Sequence, residues 1–152
     1  MTEKTIQNAL SKDLILKKNE LVVPNTKLYA WEADLLAVST SGLVSEYEIK
    51  ISRSDFKADK KKEWKHAVLA GKKTRGGGKR PYVLKPSYFY YVAPAGLLDV
   101  DEIADYAGFI EIGAHGLRLI RRAPRHHTIK LNDGQRKFLG RGLMYRYWNT
   151  RI

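Results

Sequence analysis

From Thr2 to Lys17 the apolar residues Ile6, Ala9, Leu10, Leu14 and Ile15 recur at spacings of three, one, four and one, the period of a helix that buries one stripe. Leu21 to Val23 stops at Pro24-Asn25-Thr26, which reads as a turn, and Leu28 to Val38 is apolar and aromatic enough for a strand. In Leu43 to Ser52, β-branched and aromatic residues alternate with polar ones, so a second strand is predicted, with Ser39-Thr40-Ser41-Gly42 as the hairpin loop.

After Ser54 the pattern becomes helical. Phe56, Trp64, Val68 and Leu69 lie among lysines, Ser54 is placed to cap ahead of Asp55, and the helix should end near Gly71. Tyr88 to Ala93 is an aromatic strand ended by Pro94, Leu97 to Tyr106 reads as a short acidic helix, and Ala107 to Ile112 and Leu117 to Arg122 read as neighbouring strands. A last helix, Asp133 to Trp148, puts Phe138, Leu139, Leu143, Tyr147 and Trp148 on its apolar side, although Gly134, Gly140 and Gly142 weaken it. The sum is one α/β domain over residues 1–152, a central mixed sheet flanked by helices. A chain of this length can bury about 68–70% of its unfolded surface, so one core suffices.

Charge sharpens the picture. The chain carries 28 Lys/Arg against 16 Asp/Glu, a net charge of +12, which favours a polyanionic partner. Residues 57–85 hold eleven bases against two acids and 118–151 hold ten against one, whereas 86–117 hold five acids and no Lys or Arg. Between the first two helical stretches and the aromatic strand, Gly76-Gly77-Gly78 is flanked by Lys72, Lys73, Arg75, Lys79 and Arg80, which predicts a flexible basic loop near 72–80. The absence of cysteine removes disulfides, thiolate metal sites and cysteine nucleophiles. With no apolar signal region at the start and no long uncharged apolar run, a cytoplasmic protein without membrane spans is expected.

Chemistry concentrates in Trp31-Glu32-Ala33-Asp34-Leu35-Leu36 and, one hairpin later, Glu46-Tyr47-Glu48-Ile49-Lys50. Strand side chains alternate faces, so Glu46, Glu48 and Lys50 share one face while Tyr47, Ile49 and Ile51 take the other. A hairpin that brings Asp34 opposite Glu48 makes an all-oxygen site, to which the Ile49 carbonyl can contribute. Hard cations such as Mg²⁺ or Mn²⁺ accept one or two carboxylates together with waters and a substrate phosphate. Such an ion activates water and offsets charge on phosphate, while Lys50 is suited to orient the nucleophile or stabilise the transition state. Glu46 and Glu32 read equally well as ordinary charges on a solvated hairpin face.

This arrangement resembles the PD-(D/E)XK nuclease superfamily, Asp34 matching its metal-binding aspartate and Glu48-Ile49-Lys50 its (D/E)-X-K tripeptide, over about Tyr29 to Trp64. The run from Glu48 through Ser52-Arg53-Ser54-Asp55-Phe56 to Lys60 is similar to the MmcB-type family of bacterial DNA repair proteins. A weaker likeness continues through Tyr88 to Pro94 and Arg121-Arg122-Ala123-Pro124. The resemblance implies a restriction-endonuclease-like fold, catalysis by Asp34, Glu48 and Lys50, and a metal held by Asp34, Glu48 and Ile49. Two departures stand out: Ala33 replaces the proline, which supplies no ligand, and the first helix offers only Glu3 and Asp13 at its ends and Gln7 or Asn8 in its middle as a further ligand.

Arg53, Lys57, Lys60, Lys61, Lys62 and Lys65 follow the catalytic strand and are expected to track the DNA backbone, with Arg75, Lys79 and Arg80 closing from the loop. Ser52 and Asp55 either support the lysine or phosphate or serve the start of the helix. Tyr88, Phe89, Tyr90 and Tyr91 are expected in core packing rather than base stacking, and the adjacent His126 and His127 should diverge rather than share a metal. The functional expectation is a Mg²⁺-dependent deoxyribonuclease acting in DNA repair, recombination or phage DNA processing, in the nucleoid or an infected host's cytoplasm. A homodimer would let two sites cut opposite strands. The rival is a non-catalytic DNA-binding module of the same fold.

Overall fold

The computed structural model describes residues 1–72 and 85–151. Its elements, in chain order, are helix α1 (Glu3–Leu16), strands β1 (Leu21–Thr26), β2 (Ala33–Val38) and β3 (Val44–Ile49), and helices α2 (Arg53–Lys60) and α3 (Glu63–Leu69). Strand β4 (Tyr88–Pro94), a 3₁₀ turn (Val100–Glu102), strands β5 (Gly108–Gly113) and β6 (Gly116–Arg121), and helix α4 (Asp133–Asn149) follow. The strands lie side by side in chain order in one six-stranded sheet. Their pairings are antiparallel between β1 and β2, β2 and β3, and β5 and β6, and parallel from β3 to β4 and β4 to β5. This is the expected mixed sheet flanked by helices.

Strand alternation divides the core between the two faces. On one face Leu35, Ala37, Tyr47, Ile49 and Val92 receive Ile6, Leu10 and Leu14, the expected stripe of α1; Ile15 of that stripe is left exposed. On the other, Phe89 and Tyr91 pack against Phe56 of α2 and Leu69 of α3, while Leu36, Val38 and Val44 meet Leu139 of α4. Three of the four aromatics thus pack as expected, Phe89 and Tyr91 facing one way and Tyr90 stacked on Tyr47 at 5.3 Å on the other side, while Tyr88 is half-buried outside these clusters.

Several boundaries differ from the sequence reading, each for a local reason. β1 runs through Pro24 to Thr26 instead of turning there, because β1 is an edge strand, where a residue without an N–H is tolerated. Residues 27–32 are not strand, so β2 starts at Ala33 rather than Leu28. The predicted single helix from Ser54 to Gly71 is two helices: Ser52, not Ser54, caps α2 by accepting the Asp55 amide at 3.1 Å, and the chain breaks at Lys61-Lys62, where Lys62 has ψ 71°. The acidic segment is only a 3₁₀ turn, and Trp64 is substantially exposed. α4 lies where predicted but buries only Leu139 fully and Leu143 in part, leaving Phe138, Tyr147 and Trp148 more than half exposed. The expected loop around Gly76 lies outside the described residues. Among those residues no helix is long and apolar enough to cross a membrane.

Candidate active site

The β2–β3 hairpin sets the site. Its register pairs Leu35 with Tyr47, which sets Asp34 opposite Glu48, and the Asp34 carboxylate accepts the Ile49 amide at 2.8 Å. Asp34, Glu48, Ile49 and Lys50, the residues singled out from the sequence, therefore converge. Burial raises the Asp34 carboxyl to about 6 against the lowering effect of the Ile49 amide, and the nearby Glu3 carboxylate pushes it further up. Glu3, in the first turn of α1, is thus brought to Asp34. Gln7, one turn on, donates to the Asp34 carbonyl at 2.7 Å. Their spacing of four, one helical face, was the signal in the sequence for an acid from the first helix.

Glu48 is buried. Its Oε1 accepts Lys50 Nζ at 3.0 Å and faces Lys65 Nζ at 3.6 Å, while its Oε2 is buried without a hydrogen-bond partner among the described residues. Burial and the neighbouring Asp34 and Asp59 charges raise its pKa, with Lys65 and Lys50 acting the other way. Lys50 is 4% exposed; burial disfavours its charge, but Glu48, Asp59 and Asp55 outweigh that and hold its pKa above the ordinary lysine value.

A buried layer beneath these residues was not anticipated. Asp59, 1% exposed, accepts Lys65 Nζ at 3.0 Å, His66 Nε2 at 3.1 Å and the Tyr91 hydroxyl at 2.7 Å, and lies 3.8 Å from Lys50. Burial alone would raise its carboxyl, but His66, Lys65, Lys50 and Tyr91 hold it far below the usual range. Lys65, expected on the DNA-facing surface, is 3% exposed and points inward; the helix break turns it toward Asp59, and the apolar walls of Trp31 and Phe89 enclose its ammonium at 5.9 and 5.4 Å. Glu46, offered as a surface charge, has no exposure at all: the Trp31 indole donates to both its oxygens at 3.0 and 2.9 Å. Burial, opposed by Lys65, raises Glu46 to about 8. Glu32 is exposed, as offered.

Ser52 serves the helix start, whereas Asp55 does both jobs, accepting the Ile51 amide at 3.4 Å and lying 3.7 Å from Lys50 Nζ. Lys57, Lys60 and Lys61 are exposed beside the site, Lys60 with its ammonium 4.4 Å over the Phe56 ring. Arg53 is exposed too, but its guanidinium is already paired with Glu102 and donates to the Leu97 carbonyl at 3.2 Å. Arg75, Lys79 and Arg80 lie outside the described residues. His126 and His127 do diverge, bonding the Tyr106 and Lys85 carbonyls at 2.8 and 2.7 Å.

Among the described residues no three His, Cys, Asp or Glu side chains form a ready-made metal cage. The donor set is nevertheless all oxygen on the Asp34 and Glu48 side, and the unpartnered Glu48 Oε2 is a free ligand atom there. An ion that retains waters and takes only two carboxylates fits this set.

No protein-family model and no curated protein matches the chain. Among solved structures, it is similar to the SPO1766 protein of unknown function from Silicibacter pomeroyi, with a TM-score of 0.59 and 18% identity over 86% of this chain and 79% of that one. That likeness extends to the fold.

Proposed function

We propose that the protein is a metal-dependent DNA nuclease hydrolysing phosphodiester bonds, with Asp34, Glu48 and Lys50 as its catalytic residues. The observation that carries the reading is the convergence of these three on one hairpin end, with a buried Glu48 oxygen lacking a partner among the described residues. The resemblance of Glu48-Ile49-Lys50 and its flanks to nuclease motifs supports DNA as the substrate.

Asp34 and Glu48, with the Ile49 carbonyl, would hold Mg²⁺ or Mn²⁺. Bound there, the metal supplies an acidified water and positive charge against the phosphate. The Ile49 amide fixes the Asp34 carboxylate, and Glu48, Asp55 and Asp59 hold the Lys50 ammonium charged. Lys50 then presents a fixed positive charge and proton donors at the reacting phosphate, where preorganised charge lowers the barrier. Lys57, Lys60 and Lys61 on the adjoining helix are suited to the flanking phosphates. Two copies of the chain would cut both strands of a duplex.

Purified protein should cleave plasmid, single-stranded or branched DNA with Mg²⁺ or Mn²⁺, and Lys50→Ala should abolish cleavage while DNA affinity stays within about twofold. No cleavage of any of these substrates with either metal would overturn the reading. The tight pairing of Lys50 with Glu48 favours, as a second reading, a non-catalytic DNA-binding module. Calorimetry separates the two, since only the nuclease should take up Mg²⁺ in a way that Asp34→Ala eliminates.

A further inference from the structure

Helix α4 has two faces with different fates. Arg136, Leu139, Leu143 and Arg146 follow at spacings of three, four and three along the side facing β1: Leu139 is buried, Arg136 pairs with Glu20, and Arg146 donates to the Pro24 and Asn25 carbonyls. That side is fully used. On the outward side Phe138, Arg141, Tyr145 and Trp148 form a second ridge at the same spacings, and the three rings are 53–58% exposed. Met144, also exposed, and Lys137 flank the ridge. Large exposed apolar groups gathered on one element mark a contact surface, and ordinary stability gives no reason to place three rings in water.

We propose that this outward face of α4 is a docking surface for single-stranded DNA, whose bases stack on Phe138, Tyr145 and Trp148 while Lys137 and Arg141 meet the phosphates. After Asp133 the helix carries no acid, and residues 118–151 hold ten bases against one acid, so its complement is a polyanion with flat apolar faces. Base stacking on aromatic side chains between cations is how sequence-tolerant single-strand sites are built. A duplex keeps its base faces inside its own stack. A membrane-surface helix separates rings and cations onto opposite faces, whereas here both share one face because the other is packed on β1. A second copy would bring together two chains of +12 and two helices that carry no acid after Asp133.

The packed side of α4, opposite this ridge, adjoins the candidate active site. Leu143 of α4 packs in the same cluster as Tyr29; the Tyr29 ring is 6.1 Å from Trp31, and Trp31 is 6.1 Å from Trp64, which is 44% exposed. Trp31 in turn holds Glu46, two residues from Glu48 on the same strand face. Aromatic groups thus lead from α4 to the hairpin end. The choice of DNA over RNA rests on the proposed nuclease function; the single-strand preference rests on α4 alone.

The test is binding of a fluorescent oligodeoxynucleotide in EDTA, which separates it from cleavage. Wild type should bind the single strand more tightly than the same sequence as duplex or as RNA. Replacing Phe138, Tyr145 and Trp148 together by Ala should weaken single-strand binding by about tenfold or more and duplex binding by less than about twofold, with the thermal midpoint unchanged because the rings are exposed. Equal single-strand affinity in variant and wild type would overturn the proposal. So would tighter binding of RNA, an equal loss on duplex, or a preference for anionic phosphatidylglycerol vesicles over the oligonucleotide. Self-association that the variant abolishes without loss of single-strand affinity would overturn it as well. Failure of cleavage with single-strand binding intact would refute the nuclease reading and leave this one standing.

Discussion

Glu46 and Lys65 carry the most informative corrections at the scale of single residues. In the fold Glu46 binds its proton up to about pH 8, against an ordinary value of 4.5, so the folded state holds that proton more tightly than the unfolded one. Its contribution is therefore greatest below the unfolded value and is lost as pH rises through 8. Glu46→Gln keeps an acceptor for the Trp31 indole and cannot ionise. It should unfold at the same urea concentration as wild type at pH 4 but be more stable at pH 9, by an amount on the order of a few kcal/mol; an equal difference at both pH values would refute this. Lys65 gives a second contrast. Lys65→Met takes a buried cation from Asp59 and Glu48, leaving Lys50 to serve both, and should cost about 3 kcal/mol, whereas Lys61→Ala, on the exposed side of the helix break, should stay within about 0.5 kcal/mol in the same urea series. The sequence showed that Glu48 and Lys50 share a face, since alternation fixes that. It did not show that Asp59, Lys65 and His66 lie beneath them, because in sequence they look like the charged side of an amphipathic helix, and only the break between α2 and α3 turns them inward.

That break shows what limits reading at the level of elements. Neither Gly nor Pro marks Lys61-Lys62, and the helix ends there because burying Asp59 against Lys65, His66 and Tyr91 outweighs one more turn of α-helix. β1 was hidden for the opposite reason: Pro24 is a breaker in sequence but harmless at a sheet edge. The hairpin was legible because its loop chemistry, the apolar run of β2 and the alternation of β3 agree. Gly42 is its critical residue, with φ of +90° and an ideal Cβ only 2.9 Å from Arg136 and 3.1 Å from Lys130. Gly42→Ala should destabilise by at least about 1–2 kcal/mol from the left-handed backbone alone. By tilting the hairpin it should also accelerate hydrogen exchange at the Ile49 amide, which the Asp34 carboxylate otherwise protects. Unchanged stability and exchange would mean that the β2–β3 register does not depend on this turn.

Across the whole molecule the sheet was predictable in class, since helical and alternating segments succeed one another in a pattern with one layered solution. The outward face of α4 was not, because Phe138 and Trp148 read as core until the packing of Leu139 showed which side the sheet takes. For the proposed docking of single-stranded DNA, the same division of α4 predicts two separable contributions to affinity. Phosphate contacts release counterions, so the logarithm of affinity falls linearly with the logarithm of salt, with a slope set by the number of phosphates neutralised. Ring stacking releases none. Removing Phe138, Tyr145 and Trp148 leaves every cation in place, so the variant's salt plot should run parallel to that of wild type and below it, the ratio of affinities constant from low to high salt. Arg141→Ala with Lys137→Ala should do the reverse, flattening the slope by about two phosphates' worth, because both side chains are exposed. Converging plots for the ring variant would mean that its loss is electrostatic, and that the rings act only by positioning neighbouring charge.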